Sequence, residues 1–215
     1  MNLKLTGKII AFSGISGCGK STLARILAEK LNIVCVSEPE VDAWPDIARN
    51  QAKYGPALAL FSFRQLWAAK YIDADLIRKT GELVLLDTYF FKINGDYLGE
   101  PGMDWLLPAS DPYLPIFKKL AELDQKYFPD ADIVILLEVS QADRDKFLQE
   151  RGRASDQLAG FSENYALEQA YVAQATVKHC EINNLKLIKF TQKFGDPVVQ
   201  AERLHELLVF QKIIF

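Results

Sequence analysis

The run Gly14-Ile15-Ser16-Gly17-Cys18-Gly19-Lys20-Ser21 has the spacing G-x-x-x-x-G-K-[ST], and those residue types in that order suit the binding of phosphate. Glycines let backbone N–H groups crowd around anionic oxygens, because no Cβ keeps the chain away. A strand-like run (Ile9, Ile10, Ala11, Phe12) precedes the loop, and a helix-like run from Thr22 to Leu27 follows it. The helix N-terminus adds positive potential at the same point. Lys20 then reaches the β- and γ-phosphates of a nucleotide, and the Ser21 hydroxyl sits on Mg²⁺. Gly14, Ser16, Gly17, Cys18, Gly19 and Thr22 complete the cradle. Cys18 has two readings: a thiol whose pKa the loop lowers, or an incidental small side chain, which is the favoured one.

Three other constellations carry chemistry. Glu38-Pro39 follows an apolar run, and a carboxylate stiffened by proline suits a general base for an attacking hydroxyl. Asp87 ends Leu-Val-Leu-Leu-Asp, the pattern of a strand-terminal carboxylate that holds Mg²⁺; a carboxylate on the attacking side and a turn cap stay open. Arg151-Gly152-Arg153, with Asp156 three residues on, sets two guanidinium groups around a flexible residue, as a lid over a transferring phosphoryl group requires. In 58–72, Phe61 and Phe63 cannot share one narrow helix stripe, so one enters the core. The other, with Arg64 and Gln65, faces a pocket suited to a base ring.

These residues need a scaffold, and the chain has one. Nearly continuous apolar runs at 9–12, 33–36, 83–86, 133–137 and 185–190 read as strands buried on both faces. Helix-like segments near 20–31, 57–80, 113–127, 141–150, 161–182 and 197–211 alternate with them. That alternation defines an α/β P-loop NTPase fold, a five-stranded parallel sheet flanked by helices. One domain spans 1–215, with a short Arg-rich lid near 151–160. Residues 92–112, rich in Gly, Pro and Asp, read as an irregular loop that covers a substrate or forms a subunit contact. In doubly wound sheets ligands sit beyond the carboxyl ends of the strands. The P-loop, Glu38, Asp87 and Glu138 to Ser140 should therefore converge.

Composition narrows the partners. The 215 residues carry a formal net charge of -3 with dispersed charges, which argues against a nucleic-acid polymer or membrane surface as partner. No apolar run reaches the length of a membrane span, and Met1 to Lys8 lacks the apolar core of a signal peptide. Cys18, Cys35 and Cys180 show no metal or disulfide spacing, as expected of a cytoplasmic protein.

In this order the motifs resemble the deoxynucleoside kinase family, with the thymidylate kinases close behind. The resemblance runs from residue 9 to about 200. It rests on the P-loop, Glu38-Pro39 followed by Trp44, Phe61-Ser-Phe-Arg64, Asp87, Pro129-Asp-Ala-Asp-Ile-Val-Ile-Leu-Leu and Arg151-Gly-Arg153. It implies ATP and Mg²⁺ as cofactors and a small-molecule acceptor. It also implies a homodimer paired through helices. By position, it implies that Glu38 activates the 5′-hydroxyl of a sugar and Trp44 lines the sugar and base pocket. Tyr54 and Asp156 would contact the 3′-hydroxyl, and Phe63 would lie against the base. Arg151 and Arg153 would meet the ATP phosphates, and Thr191 to Pro197 would line the donor adenine.

Three positions depart from the family pattern. Asp87-Thr88-Tyr89 replaces Glu-Arg-Ser or Asp-Arg-Tyr. Arg64 stands where a base-reading glutamine is usual, so it could read thymine or another acceptor-rich edge. Phe147 replaces a lid arginine, with Arg144 about one turn away. The expected activity is transfer of a phosphoryl group to a deoxynucleoside. Transfer to a monophosphate such as dTMP, with Arg49, Lys53, Arg64 and Lys92 as extra cations, is the runner-up. Nucleotide binding without turnover and a non-nucleoside acceptor are further alternatives.

Lys20→Ala is expected to lower kcat by roughly 10²–10³-fold in a coupled ADP-release assay; unaffected turnover would remove the P-loop from the mechanism.

Overall fold

The computed structural model describes residues 7–39, 41–152 and 163–214. Five strands form one parallel sheet: β1 (Lys8–Ser13), β2 (Val34–Val36), β3 (Leu83–Leu86), β4 (Ile133–Val139) and β5 (Lys186–Gln192), in the order β2-β3-β1-β4-β5. The three inner strands read Ile-Ile-Ala-Phe, Leu-Val-Leu-Leu and Ile-Val-Ile-Leu-Leu because helices cover both their faces. Ile10, Val84 and Ile135 are fully buried. From Ile188 on, β5 alternates buried Ile188, Phe190 and Gln192 with exposed Lys189 and Thr191, as an edge strand packed on one face should.

Helices α1 (Lys20–Leu31), α2 (Asp46–Arg49), α3 (Gln51–Tyr54), α4 (Pro56–Lys79), α5 (Phe90–Ile93), α6 (Leu114–Tyr127), α7 (Gln141–Arg151), α8 (Tyr165–Ile182) and α9 (Pro197–Phe210) make the crossovers. α1 turns Leu23, Ala24, Leu27 and Ala28 into the core and stops at Asn32, which takes the left-handed conformation (φ 52°) of a helix C-cap. Proline opens α4 and α9, where its missing N–H costs no bond.

The strand order decides what the site contains. β1 lies beside β3, with Ala11 opposite Leu86, so the P-loop that leaves β1 faces Asp87. β2 lies on the other side of β3, with Val36 opposite Leu86, so Glu38 faces the same carboxylate.

Residues 92–112 differ from the expected structureless loop. α5 and the tight turn Asn94–Asp96 open the stretch. Successive turns then drive Tyr97, Leu98, Met103 and Leu107 inward until each is 2% exposed or less. Leu98 and Leu107 pack with Ala57, Leu60 and Phe117, so apolar burial orders a chain that Gly and Pro keep irregular. Arg153 and Asp156 lie outside the described residues.

A buried charge cluster anchors this region. Lys92 is 0% exposed and donates to the carbonyl oxygens of Asp124, Gln125 and Phe128 at 3.2, 3.1 and 2.7 Å, capping the end of α6. Burial pulls its pKa down against the opposing pull of Asp130 and Asp124. Lys92 is thereby a structural cation, not the supplier of acceptor-phosphate charge expected above. Asp130 accepts from His179 at 2.8 Å and from the Tyr89 hydroxyl, and lies 3.8 Å from Lys92. Burial raises the Asp130 pKa, but the His179 hydrogen bond and the Lys92 charge outweigh it and leave the group below its ordinary value.

A carboxylate depressed on folding contributes stability that is present above its unfolded pKa, about 4, and is lost as pH falls through the lower folded value. Asp130→Asn should cost about 3 kcal/mol in urea unfolding at pH 7, because it strands buried Lys92. The gap between variant and parent should narrow below about pH 4.

Candidate active site

β1 ends at Ser13, and the chain reverses through Gly14 to Gly19 into α1. Two glycines are required by contact as well as conformation. Gly14 has φ 145°, and a Cβ there would lie 2.9 Å from both Cys18 Sγ and the Leu137 carbonyl oxygen. Gly17 has φ 79°, and its Cβ would meet Leu148 of α7 at 2.4 Å. Cys18 is 0% exposed, so this small side chain fills the core under the loop. Lys20 Nζ donates to the carbonyls of Gly14 and Ile15 at 2.9 and 2.8 Å, which holds the ammonium inside the loop.

Asp87 is 1% exposed. Its two oxygens accept from the Glu38 N–H at 3.2 Å each, and the Ser21 hydroxyl also bonds to it. Burial raises its pKa, while Ser21, the Glu38 N–H and nearby Lys20 pull the other way. Ser21 and Asp87 thus offer adjacent hard oxygen donors, a chemistry that fits Mg²⁺.

A cavity of about 820 Å³ opens above these groups and is lined by the P-loop, Ser21, Thr22, Arg25, Glu38 and Arg151. Toward one end its wall is aromatic. Trp44 stands edge-on to Phe63 with ring centroids 4.8 Å apart, Phe63 stacks on Trp67 at 5.2 Å, and Trp67 meets Phe90 at 4.8 Å. The Trp44 indole N–H is fixed by the Pro39 carbonyl at 2.8 Å. Met103, Trp105 and Leu106, from the ordered stretch after α5, close the same wall. Toward the other end, Gln192 and Phe147 approach Gly19, whose Cβ would lie 3.3 and 3.6 Å from them, and Gly195 and Pro197 line the rim. Phe147 packs edge-on against Phe194 at 5.2 Å.

Several expected residues fall elsewhere. Arg64 donates to Asp124 at 2.8 Å through Nε and at 2.5 Å through Nη2, a bidentate pair that turns it toward α6 and off the cavity wall. Gln65 is exposed and also off the wall. Phe61 is the ring that goes to the core, 4.2 Å from Phe117. The Tyr54 hydroxyl donates to Asp46 at 2.7 Å and does not line the cavity, because four-residue α3 points it back at α2. Lys53 sits 4.0 Å from the same Asp46. Glu138 to Ser140 do not join the convergence: the Val139 N–H donates to Gln169 at 3.1 Å, and Ser140 caps α7, accepting from the Asp143 N–H at 3.1 Å. Arg144 is fully buried rather than facing a nucleotide. Among the cavity residues that the sequence reading passed over are Arg25, Trp67 and Glu168, whereas Gln192 falls inside the Thr191 to Pro197 stretch expected to line the donor. Glu168 carries no motif, and only its place in the first turn of a helix could have flagged it.

A glycine-rich loop feeding a helix N-terminus, a lysine in the loop and a carboxylate on the neighbouring strand define a P-loop phosphate-binding protein of the α/β class. A family profile described as an AAA domain matches residues 9–95. The probable thymidylate kinase 1 of Saccharolobus solfataricus is 33% identical over 161 residues, covering 65% of this chain and 72% of that protein. Among solved structures, deoxyadenosine kinase from M. mycoides with dCMP and a flexible dCDP bound has a similar fold. Its TM-score is 0.69 at 19% identity, covering 94% of this chain and 99% of that one. Thymidylate kinase from Candida albicans gives a TM-score of 0.57 at 17% identity, covering 96% and 93%. The chain belongs to the thymidylate kinase family of P-loop kinases, and its chemistry is phosphoryl transfer of the nucleoside and nucleotide kinase kind.

Arg64→Ala should lower stability by about 2–3 kcal/mol, because the Asp124 side chain, 4% exposed, loses its partner. Affinity for ATP and the acceptor KM should stay within about twofold of the parent. A shifted acceptor KM at unchanged stability would return Arg64 to the acceptor pocket.

Proposed function

We propose that this protein transfers the γ-phosphoryl group of ATP to the 5′-hydroxyl of a deoxynucleoside. The observation that carries the reading is the convergence of Lys20, Ser21, Asp87 and Glu38 at one end of an aromatic-walled cavity. Lys20 and the amides of Gly17 to Ser21 bind the β- and γ-phosphates. Glu38, on the cavity wall, accepts the proton of the attacking hydroxyl as its oxygen bonds to the γ-phosphorus. The bond to the bridging oxygen breaks and ADP leaves. Asp87 orients Glu38 by holding its N–H. Ser21 and Asp87 would hold Mg²⁺, which when bound neutralises charge on the phosphate oxygens. Arg151, also on the wall, spreads the developing charge; Arg153 shares that role in this reading, and Asp156 meets the sugar 3′-hydroxyl.

An uncharged acceptor is favoured by what the cations do. Arg64, Lys92 and Lys53 are each committed to carboxylates or carbonyls away from the cavity. The wall around Trp44, Phe63 and Trp67 offers ring faces, which suit a nucleobase. A second reading, a nucleoside monophosphate as acceptor, has support in Arg25 and Arg49 on the cavity wall and in the likeness to a probable thymidylate kinase.

Free Cys18, Cys35 and Cys180 suit the reducing cytoplasm, and no helix among the described residues is long and apolar enough to cross a membrane. The homodimer is part of the same reading, with exposed Ile72 and Leu76 on α4 and Ile116 and Leu123 on α6 as apolar surface for it.

A panel of thymidine, deoxyadenosine, deoxycytidine and dTMP, scored by ADP release, tests the proposal. One of the three nucleosides should give the highest kcat/KM, and Glu38→Ala should lower that kcat by roughly 10²–10⁴-fold. Turnover with dTMP alone selects the second reading, and full kcat in Glu38→Ala removes Glu38 as the base.

A further inference from the structure

Two charged residues that take no part in the proposed reaction are buried against the P-loop. Arg144, in α7, is 0% exposed, and Glu168, in the first turn of α8, is 3% exposed. They pair at 2.7 Å. Both also bond to the same loop residue. Arg144 Nε donates to the Ser16 carbonyl oxygen at 3.0 Å, and Glu168 accepts from the Ser16 backbone N–H. The Arg144 stem comes within 3.8 Å of the Cβ position of Gly17, and its guanidinium lies 5.8 Å from the Tyr165 ring centroid.

Burying an ion pair costs desolvation that apolar residues of the same size avoid. This pair also bonds both backbone groups of one residue, Ser16, which leads directly into the Gly17–Ser21 amides. A loop with glycine at 14, 17 and 19 has many backbone states to lose when it closes on phosphate. Fixing Ser16 on both its N–H and its C=O removes much of that loss before the ligand arrives.

We propose that Arg144 and Glu168 are positioning residues that pre-organise the P-loop for a nucleoside triphosphate. Neither needs to touch the ligand; they act through the Ser16 backbone. The inference goes beyond the proposed reaction and rests on its donor half only.

A pair that served α7–α8 packing alone would affect stability and nothing else, so the test separates the two roles. Arg144→Met combined with Glu168→Met replaces the ion pair by side chains that pack but cannot bond to Ser16. Binding of the β,γ-imido analogue of ATP with Mg²⁺ is measured by calorimetry without acceptor, beside the thermal midpoint. The double variant should melt within a few degrees of the parent and bind the analogue about tenfold more weakly or worse. Arg144→Lys keeps a charge opposite Glu168, but a single ammonium on a flexible stem cannot reproduce the planar fork that serves Glu168 and Ser16 together. It should fold and lose affinity by about fivefold, and it decides the matter if the double variant does not fold. Parental affinity in a folded double variant, or in Arg144→Lys, overturns the positioning role while leaving the donor reading intact. A parent protein that binds no analogue overturns the donor reading, and the positioning role with it.

Discussion

The pairing of β1 with β3 is the constraint on which the site depends. With Ala11 opposite Leu86, the loop that binds phosphate and the carboxylate that ends the next strand leave the sheet side by side. Adding β2 on the far side of β3 brings in Glu38, whose N–H is held by both oxygens of Asp87. A parallel sheet makes this arrangement rigid, because every strand presents its carboxyl end at the same edge. None of the three elements could be moved one position in the sheet without separating Glu38 from the phosphate loop.

The cations of this protein divide by burial. Lys92 stops α6, Arg64 neutralises Asp124, and Arg144 with Glu168 grips Ser16. Each sits where leaving a polar group unmatched would be expensive, so each is tied to carbonyls or carboxylates. Among the described residues, Lys20, Arg25, Arg49 and Arg151 reach the cavity. Lys20 and Arg25 lie on α1, Arg49 on α2 and Arg151 on α7, helices that follow β1, β2 and β4 from the carboxyl edge of the sheet. The wall around Trp44, Phe63 and Trp67 is formed by rings instead.

Much of this was legible in the sequence. Five apolar runs fell on the five strands, and the helix-like segments on the principal helices, because strands buried on both faces lose their polar residues and amphipathic helices keep theirs. The P-loop was legible because its glycines answer a local demand: Gly14 and Gly17 adopt backbone angles that other residues resist. Residues 92–112 were less legible. Their glycines and prolines signalled irregular backbone correctly, but the burial of Leu98 and Leu107 depends on partners as far away as Ala57 and Phe117.

Side-chain direction was the least legible layer. Arg64 and Phe63 are neighbours in sequence, yet one turns to Asp124, sixty residues on, and the other to the cavity, because adjacent helix positions point about 100° apart. By itself the sequence determined the strand and helix alternation, the phosphate loop and the set of charged residues available to serve it, since these follow from local patterns. Only the tertiary structure decided which of those charges face the cavity and which are spent in the core. That choice rests on desolvation and on distant partners, which no local pattern records.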